Sequence, residues 1–228
     1  MIEFRDVSVS YGETPVLDGI SIAIEDDEFV ALVGANGSGK TTLLGLCNGL
    51  VTPDAGAVVV DGTAVEADLV AARTRVGMVF QHPRDQFVAA TVGADVAFGP
   101  ENLGLERGEI DRRVETALEA VNMAGRDAER IDQLSGGEQS RVAIAGALAM
   151  EPTHLLLDEP ARQSVCSHLE TLSATGTGVI VATHDLRDVV ELADRLVALR
   201  DGQIAADGPP EALVSELETF DVRIPGGG

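Results

Sequence analysis

Residues 34–41, GANGSGKT, have the composition and spacing of a segment that binds phosphate groups. They match the pattern G-x-x-x-x-G-K-[ST] at every fixed position. Glycines let the backbone turn so that successive N–H groups point toward one anion. Lys40 supplies a positive charge for the outer phosphates of a nucleotide, and the Thr41 hydroxyl is a suitable ligand for Mg²⁺. The segment therefore predicts a nucleotide site that includes magnesium.

Lys40 is the only lysine in the chain, and the other 15 basic residues are arginines. A lysine kept only in this loop favours a functional role over a glycine-rich turn that contains a lysine by chance. The flanking residues agree with this interpretation. A short apolar run, Phe29–Val33, predicts a buried strand, and residues 41–46 have the composition of a buried helix.

Residues 135–138, Ser-Gly-Gly-Glu, stand directly before a second predicted helix. A serine hydroxyl and glycine N–H groups at the start of a helix can bind an anion. The same residues can also act only as a helix cap. The sequence leaves both interpretations open.

Two acidic residues and a histidine follow predicted apolar strands. Asp158 and Glu159 come after the run HLLL, and His184 comes after residues 179–183. Strand alternation is expected to send the two carboxylates in different directions, so that one can hold Mg²⁺ while the other orients a water molecule. Taken singly, an acidic pair at a strand end usually begins a polar loop, and a histidine there is usually structural.

The elements that must position these residues alternate along the chain. Apolar patterns predict strands at 2–9, 20–24, 29–33, 58–60 and 76–80, and then helices at 92–98, 107–124 and 138–150. Pro83 and Pro100 are expected to break the helical part. The last part is predicted to contain strands at 154–157 and 179–183, helices at 163–172 and through Ala193, a hairpin at 196–206 and a helix at 210–217.

The composition is that of a folded and strongly acidic protein. The 228 residues are 45% hydrophobic, and the net charge is −22. Such a charge argues against nucleic acid and anionic lipid as direct partners. The acidity resembles that of proteins from extreme halophiles, and the alternative is an ordinary acidic protein. No signal peptide or membrane span is predicted. Cys47 and Cys166 have no metal-site spacing, and Cys47 is expected to be buried and unreactive.

In this order, the four motifs resemble those of the ATP-binding subunits of ABC transporters, over nearly the whole chain. The resemblance implies an α/β fold: a P-loop NTPase core with an N-terminal antiparallel β part and a helical subdomain that contains the signature motif, residues 134–138. It implies one domain over residues 1–228, in which 1–81 and 151–228 form the core and β part and 82–150 form the helical subdomain.

The resemblance also implies roles for individual residues. The implied catalytic residues are Glu159, the switch histidine His184 and the Q-loop glutamine Gln81. The implied ligands of Mg²⁺ are Thr41, Gln81 and the Walker B residue Asp158. The implied ATP-binding residues are an aromatic that stacks on adenine, the Walker A loop and the signature: Tyr11, Gly34, Asn36, Gly37, Ser38, Gly39, Lys40, Thr41, Thr42, Ser135, Gly136, Gly137 and Glu138.

A narrower likeness concerns residues 80–105, FQHPRDQFVAATVGADVAFGPENLGL. They are similar to the ATPase subunits of energy-coupling-factor importers, which take up cobalt, nickel or vitamins. The likeness implies ATP-driven import of a metal ion such as cobalt, or of a vitamin, by a peripheral protein on the cytoplasmic face of the cell membrane. The implied partners are a transmembrane protein and a second ATP-binding subunit, self or paralogue, in a head-to-tail dimer that holds each ATP between one Walker A loop and the opposite signature.

The chain departs from the family pattern directly after Pro160. The family has a D-loop there, which contacts the second subunit, whereas this chain runs through Ala161-Arg162-Gln163-Ser164-Val165 into a predicted helix. We therefore expect Mg-ATP binding to be retained and hydrolysis to be impaired. One alternative function is a regulatory nucleotide-binding ABC subunit, and another is a soluble ABC protein without a transport role, which usually has two cassettes or long insertions.

Overall fold

The computed structural model describes residues 1–160, 176–187, 189–213 and 222. The strands in these residues are β1 (Ile2–Tyr11), β2 (Thr14–Ile24), β3 (Phe29–Val33), β4 (Ala55–Val60), β5 (Thr63–Ala64), β6 (Val76–Val79), β7 (His154–Asp158), β8 (Gly178–Thr183), β9 (Arg195–Arg200) and β10 (Gln203–Gly208). The α-helices are α1 (Lys40–Leu46), α2 (Leu69–Arg75), α3 (Val92–Asn102), α4 (Arg107–Ala120), α5 (Gly136–Leu148) and α6 (Pro210–Leu213). Short 3₁₀ turns lie at Pro83–Gln86 and Ile131–Gln133.

A six-stranded sheet has the order β10-β9-β3-β8-β7-β6. Its neighbouring strands are parallel, except in the β9–β10 hairpin. Every residue of β3, β7 and β8 is buried, which explains their continuous apolar sequences, since central parallel strands are covered on both faces. The hairpin turns at Asp201 and Gly202, both with positive φ, as its Asp-Gly sequence predicts.

A four-stranded antiparallel sheet, β2-β1-β4-β5, forms most of the opening part. Its buried side chains, among them Ile2, Phe4 and Val58, share one apolar cluster with α1 and with one face of β3. Cys47 lies in this cluster, only 1% exposed. The prediction of a buried cysteine is therefore confirmed. Burial raises the pKa of its thiol to about 12, which agrees with the expectation that the thiol is unreactive.

Helices α3, α4 and α5 form a helical part that packs on the other side of the large sheet. Val96, Leu118 and Val142 from the three helices are buried in the same apolar cluster as Val33 and Leu157. The predicted mixture of an antiparallel β part, a parallel core and helices is therefore confirmed.

The expected break at Pro100 is wrong. Helix α3 continues through Pro100 to Asn102, because a proline in the last turn of a helix removes only one hydrogen-bond donor. Gly104 stops the helix instead. It has φ 68°, and its N–H donates to the Glu101 carbonyl at 2.9 Å, the arrangement of a glycine helix stop.

Other element boundaries also differ from the predictions. Helix α4 ends at Ala120 rather than 124, since Asn122 has a left-handed backbone with φ 55°. Strand β2 begins six residues before the predicted start. Residues 189–193 form hydrogen-bonded turns instead of the predicted helix. The predicted helix at 163–172, Cys166, the D-loop position and residues 214–217 lie outside the described residues.

Candidate active site

The polar motifs meet at one edge of the six-stranded sheet. Strands β3, β8 and β7 are adjacent and parallel, so their carboxyl ends lie side by side. The phosphate loop follows β3, the acidic pair ends β7, and His184 follows β8. Ligands of open α/β sheets bind at such carboxyl ends. The strand order therefore brings together residues that are far apart in sequence.

The phosphate loop packs too closely for side chains at two of its glycines. A Cβ on Gly34 would lie 2.4 Å from the Leu199 carbonyl oxygen, and one on Gly39 would lie 2.7 Å from a Leu17 methyl group. Lys40 is only 6% exposed, and its Nζ donates to the carbonyls of Gly34 at 2.9 Å and Ala35 at 3.2 Å. The loop thus wraps around its own lysine and fixes the position of the ammonium group.

Thr41 and Asp158 form the contact expected of a magnesium site. The Thr41 hydroxyl donates to Asp158 Oδ2 at 2.8 Å, and the buried second oxygen, Oδ1, has no hydrogen-bond partner. Burial raises the pKa of Asp158, which the Thr41 hydrogen bond and the charge of Lys40 partly oppose. A hydroxyl beside a carboxylate with a free oxygen fits Mg²⁺, which prefers oxygen ligands and keeps several waters.

Glu159 lies between the lysine of the loop and the histidine. Its Oε2 is 2.8 Å from His184 Nδ1, and its Oε1 is 3.6 Å from Lys40 Nζ. The expectation that alternation separates Asp158 from Glu159 is therefore wrong, since both carboxylates lie against the adjacent residues Lys40 and Thr41. Strand β7 ends at Asp158, and Glu159 has φ 44°, a left-handed conformation that breaks the alternation.

The remaining Walker A residues surround this cluster. Ser38 is 7% exposed, and its hydroxyl has no hydrogen-bond partner, so it is available to a phosphate oxygen. Thr42 is buried in the first turn of α1, while Asn36 and Gly37 are exposed at the top of the loop.

Two predicted site residues lie outside these contacts. Gln81 is exposed on the segment after β6, and among the described residues no hydrogen bond connects it with Thr41 or Asp158. Tyr11 is 57% exposed at the end of β1. Their predicted contacts with metal and adenine remain predictions.

The signature residues cap helix α5. The Ser135 hydroxyl accepts a long hydrogen bond, 3.4 Å, from the Glu138 N–H and donates to Glu138 Oε2 at 2.7 Å. The Ser135 N–H donates to the same carboxylate at 2.8 Å, which completes a capping box. The helix-cap interpretation is thus what the structure shows for Ser135, and nucleotide binding by Ser135, Gly136, Gly137 and Glu138 remains a prediction.

Two arginines around the signature are missing from the sequence-based site. Arg126 donates to Glu138 Oε1 at 2.7 Å. Arg84 donates to Gln139 Oε1 at 2.8 Å, and Gln139 Nε2 donates to the Leu134 carbonyl at 3.3 Å. The contacts with Glu138 and Gln139 join residues that are 12 and 55 positions apart in sequence, so no local pattern could have indicated them.

Comparisons with known proteins agree with this geometry. The sequence model of the ABC transporter family matches residues 17–162. The chain belongs to the ABC transporter family. It is 59% identical to an ABC transporter ATP-binding protein of Halobacterium salinarum over 99% of this chain and all of that one. It is 44% identical to the cobalt import ATP-binding protein CbiO of Syntrophus aciditrophicus, over 95% of this chain and 81% of that one.

The fold of this ABC chain is also similar to solved structures of ATP-binding cassettes. It superimposes on CbiO1 of Clostridium perfringens, part of an ABC transporter complex, with a TM-score of 0.85 and 31% identity, over 96% of this chain and 92% of that one. It also superimposes on an ATP-binding cassette whose dimer contains ADP and Pi, with a TM-score of 0.81 and 28% identity, over 92% and 99% of the two chains. The protein is accordingly an ABC ATPase that resembles the energy-coupling-factor group.

Within the described residues, no helix is both long and apolar enough to cross a bilayer.

Proposed function

We propose that this ATPase powers the import of a small substrate, a metal ion such as cobalt or a vitamin, through a transmembrane partner. The contact of Thr41 with Asp158, beside the Lys40–Glu159–His184 cluster, supports the ATPase part most directly. The named likenesses support the importer part, because CbiO of Syntrophus and EcfA of Methanothermobacter thermautotrophicus are 44% and 42% identical to this chain.

In this proposal each cluster residue has a separate task. The loop amides, Ser38 and Lys40 bind the phosphates, and Thr41 and Asp158 hold Mg²⁺, with Gln81 joining them when its segment moves. The ion would stabilise the charge of the transferred phosphoryl group. Glu159 orients the attacking water and accepts its proton, and His184 holds the Glu159 carboxylate in place.

The helical part supplies a surface for the membrane partner. A groove of about 630 Å³ lies between α3, α4 and the loop after α4. Its lining includes five carboxylates and one arginine: Glu101, Asp111, Glu115, Glu119, Asp127 and Arg107. Arg107 is already paired with Glu101 and Asp111. We propose that a basic segment of the transmembrane protein binds here and that the ATPase lies peripherally on the cytoplasmic face of the membrane.

A second ATP-binding subunit, self or paralogue, completes each site in this proposal, with residues 134–138 facing the opposite nucleotide. The division into a core, residues 1–81 and 151–228, and a helical subdomain, residues 82–150, belongs to the same proposal.

A regulatory subunit with impaired hydrolysis is the second candidate, and the sequence after Pro160 favours it. The alignment with EcfA of M. thermautotrophicus runs over 239 positions, whereas this chain has 228 residues, so that relative has at least 11 residues without a counterpart here. A missing D-loop at this point would account for part of the difference.

The test combines copurification with turnover. The tagged chain is expected to copurify from its own cells with a transmembrane protein, and the complex is expected to hydrolyse ATP. Lys40→Ala should abolish ATP binding or hydrolysis without unfolding the chain, whereas Arg5→Ala, which removes one cation on the surface outside the site, should change neither. Isolation of the chain with ribosomes or DNA would contradict the import proposal, and ATP binding without turnover in the complex would favour the regulatory candidate.

A further inference from the structure

The start of helix α5 contains a conflict of charge. Ser135 is proposed to bind a nucleotide phosphate, yet its hydroxyl and its N–H both donate to the Glu138 carboxylate, at 2.7 Å and 2.8 Å. These bonds, together with that from Arg126, lower the pKa of Glu138 to about 2, so the carboxylate is ionised near neutral pH. An uncompensated anion at this position would repel an incoming triphosphate.

Arg126 is placed to reduce this repulsion. Its Nη1 donates to Glu138 Oε1 at 2.7 Å, on the carboxylate oxygen that Ser135 does not use. Its other donors form a two-pronged pair with Glu129, with Nε at 2.8 Å and Nη2 at 2.6 Å. The Arg126 and Glu138 side chains are 29% and 24% exposed, so solvent screens their pairing only in part.

The backbone keeps Arg126 in this position. The Glu129 and Asp127 carbonyls accept hydrogen bonds from the first two N–H groups of α3, Val92 at 3.0 Å and Gly93 at 2.9 Å. The Arg126 N–H donates to the carbonyl of Met123, which is fully buried. The loop is therefore anchored on both sides of Arg126, and the guanidinium does not depend on a flexible surface segment.

We propose that Arg126 is a positioning residue for ATP: it shares its charge between Glu129 and Glu138, offsets part of the Glu138 charge and so lowers the repulsion of a nucleotide phosphate at the Ser135 end of α5. This inference rests on the proposed function, in which the signature faces the ATP of a second subunit. A glutamine at position 138 would form the same capping box without a charge, since the motif accepts Glu or Gln. The arginine is required because the chain has the charged form.

The test measures the ATP concentration that gives half-maximal dimerisation, by sedimentation or light scattering. Every variant contains Glu159→Gln, so that ATP is not consumed. With Arg126→Met we expect that concentration to rise roughly tenfold at about 0.2 M KCl. Adding Glu138→Gln to Arg126→Met should return it to within about twofold of the parent, because the charge is gone while the cap is retained. Arg130→Met is the matched control, since that neighbouring arginine bonds to Asp132 and should have no effect.

Salt dependence separates charge compensation from simple support of the loop. At about 2 M KCl the gap between Arg126→Met and the parent should shrink several-fold, because salt screens the repulsion. A defect that is equal at both salt concentrations and is not rescued by Glu138→Gln would overturn the proposal, as would unchanged dimerisation of Arg126→Met.

Ser135→Ala distinguishes failure of this inference from failure of the proposed function. If Ser135→Ala weakens ATP-driven dimerisation and Arg126→Met does not, the signature binds ATP and only the role of Arg126 is wrong. If Ser135→Ala changes nothing in the ATP-driven dimer that the parent forms with itself or with its paralogue, the proposed role of the signature is wrong and this inference falls with it.

Discussion

At the scale of single residues, the site is a set of polar atoms with incomplete partners. Ser38 Oγ, Asp158 Oδ1 and Glu159 Oε1 are buried and have no hydrogen-bond partner. Buried polar groups are normally paired, because an unpaired one loses its hydration without replacement. Three such atoms lie around Lys40 and Thr41, where they are available to the magnesium–nucleotide complex of the proposed function.

Glu159→Gln should keep ATP binding and slow hydrolysis by roughly 10²–10⁴-fold, if Glu159 is the general base. The amide can still contact His184, but it cannot accept the proton of water. Turnover and ATP affinity are to be measured together, with thermal stability as the control for folding. If the Glu159→Gln variant hydrolyses ATP at the parental rate, Glu159 does not orient the water, and His184 becomes the candidate for that role.

Tyr11→Ala should weaken ATP binding by about 1–3 kcal/mol if the exposed ring stacks on adenine. Tyr11→Phe is the matched control, because it keeps the ring and loses only the hydroxyl, and it should bind ATP like the parent. Calorimetric titration decides the matter: equal dissociation constants for all three proteins would make Tyr11 an ordinary surface aromatic.

At the scale of elements, the residues at which helices end and begin determine where the helices of the helical part lie. Gly104 stops α3 in a left-handed conformation, and Gly108 lies in the first turns of α4. Neither position has a heavy atom within 4 Å of a built Cβ, so backbone conformation alone sets the cost of a substitution.

Gly104→Ala should therefore lower the free energy of unfolding by about 1–2 kcal/mol, because alanine is strained at positive φ. Gly108→Ala, at the second residue of α4, should raise it by about 0.4–1 kcal/mol, because alanine has less conformational freedom to lose on folding than glycine has. Urea denaturation of both variants gives the comparison, and changes of the same sign would contradict the assigned helix boundaries.

We expect the sequence that follows β7 to determine how fast the site hydrolyses ATP. In the proposed dimer, hydrolysis requires the second subunit to be aligned, and positioning errors of about 1 Å can cost on the order of a hundredfold in rate. We expect insertion of a family-like D-loop between Ala161 and Arg162 to raise turnover while ATP affinity stays constant. A Gly/Ser insertion of equal length is the control and should not raise turnover. If the chain without an insertion already hydrolyses ATP as fast as the D-loop variant, the missing D-loop does not impair hydrolysis.

At the scale of the whole molecule, the dominant feature is its charge of −22. Part of this charge lies in unfavourable arrangements, such as Glu115 and Glu119, which are exposed one turn apart on α4. Like charges at this spacing destabilise a helix by about 0.2–0.5 kcal/mol, and salt screens the effect.

Thermal stability should therefore rise with KCl concentration. The double variant Glu115→Gln/Glu119→Gln should melt at a higher temperature than the parent at low salt, and the difference should vanish at high salt. Calorimetry at both salt concentrations tests this. A melting temperature that does not depend on salt would contradict the likeness to halophilic proteins and would favour the alternative, an ordinary acidic protein.

The sequence by itself determined the phosphate loop, the buried strands around it and the family. These features are local: a run of buried strand residues or a glycine loop has the same signature wherever the chain places it. The β9–β10 hairpin was predictable for the same reason, from Asp201-Gly202. Helix ends were less predictable, because Gly104 and Asn122 compete with nearby prolines and glycines as stops.

Only the tertiary structure decided which polar residues face each other. Strand order places β8 beside β3 and β7 beside β8. This brings Glu159 to Lys40 across more than a hundred residues of sequence, and it brings His184 to Glu159 from the end of the next strand. The left-handed turn at Glu159 reverses the direction that alternation predicts. The pairing of Arg126 with Glu138 likewise depends on how α3 anchors the loop beside α5. Such contacts arise from packing between elements, and no spacing within one element encodes them.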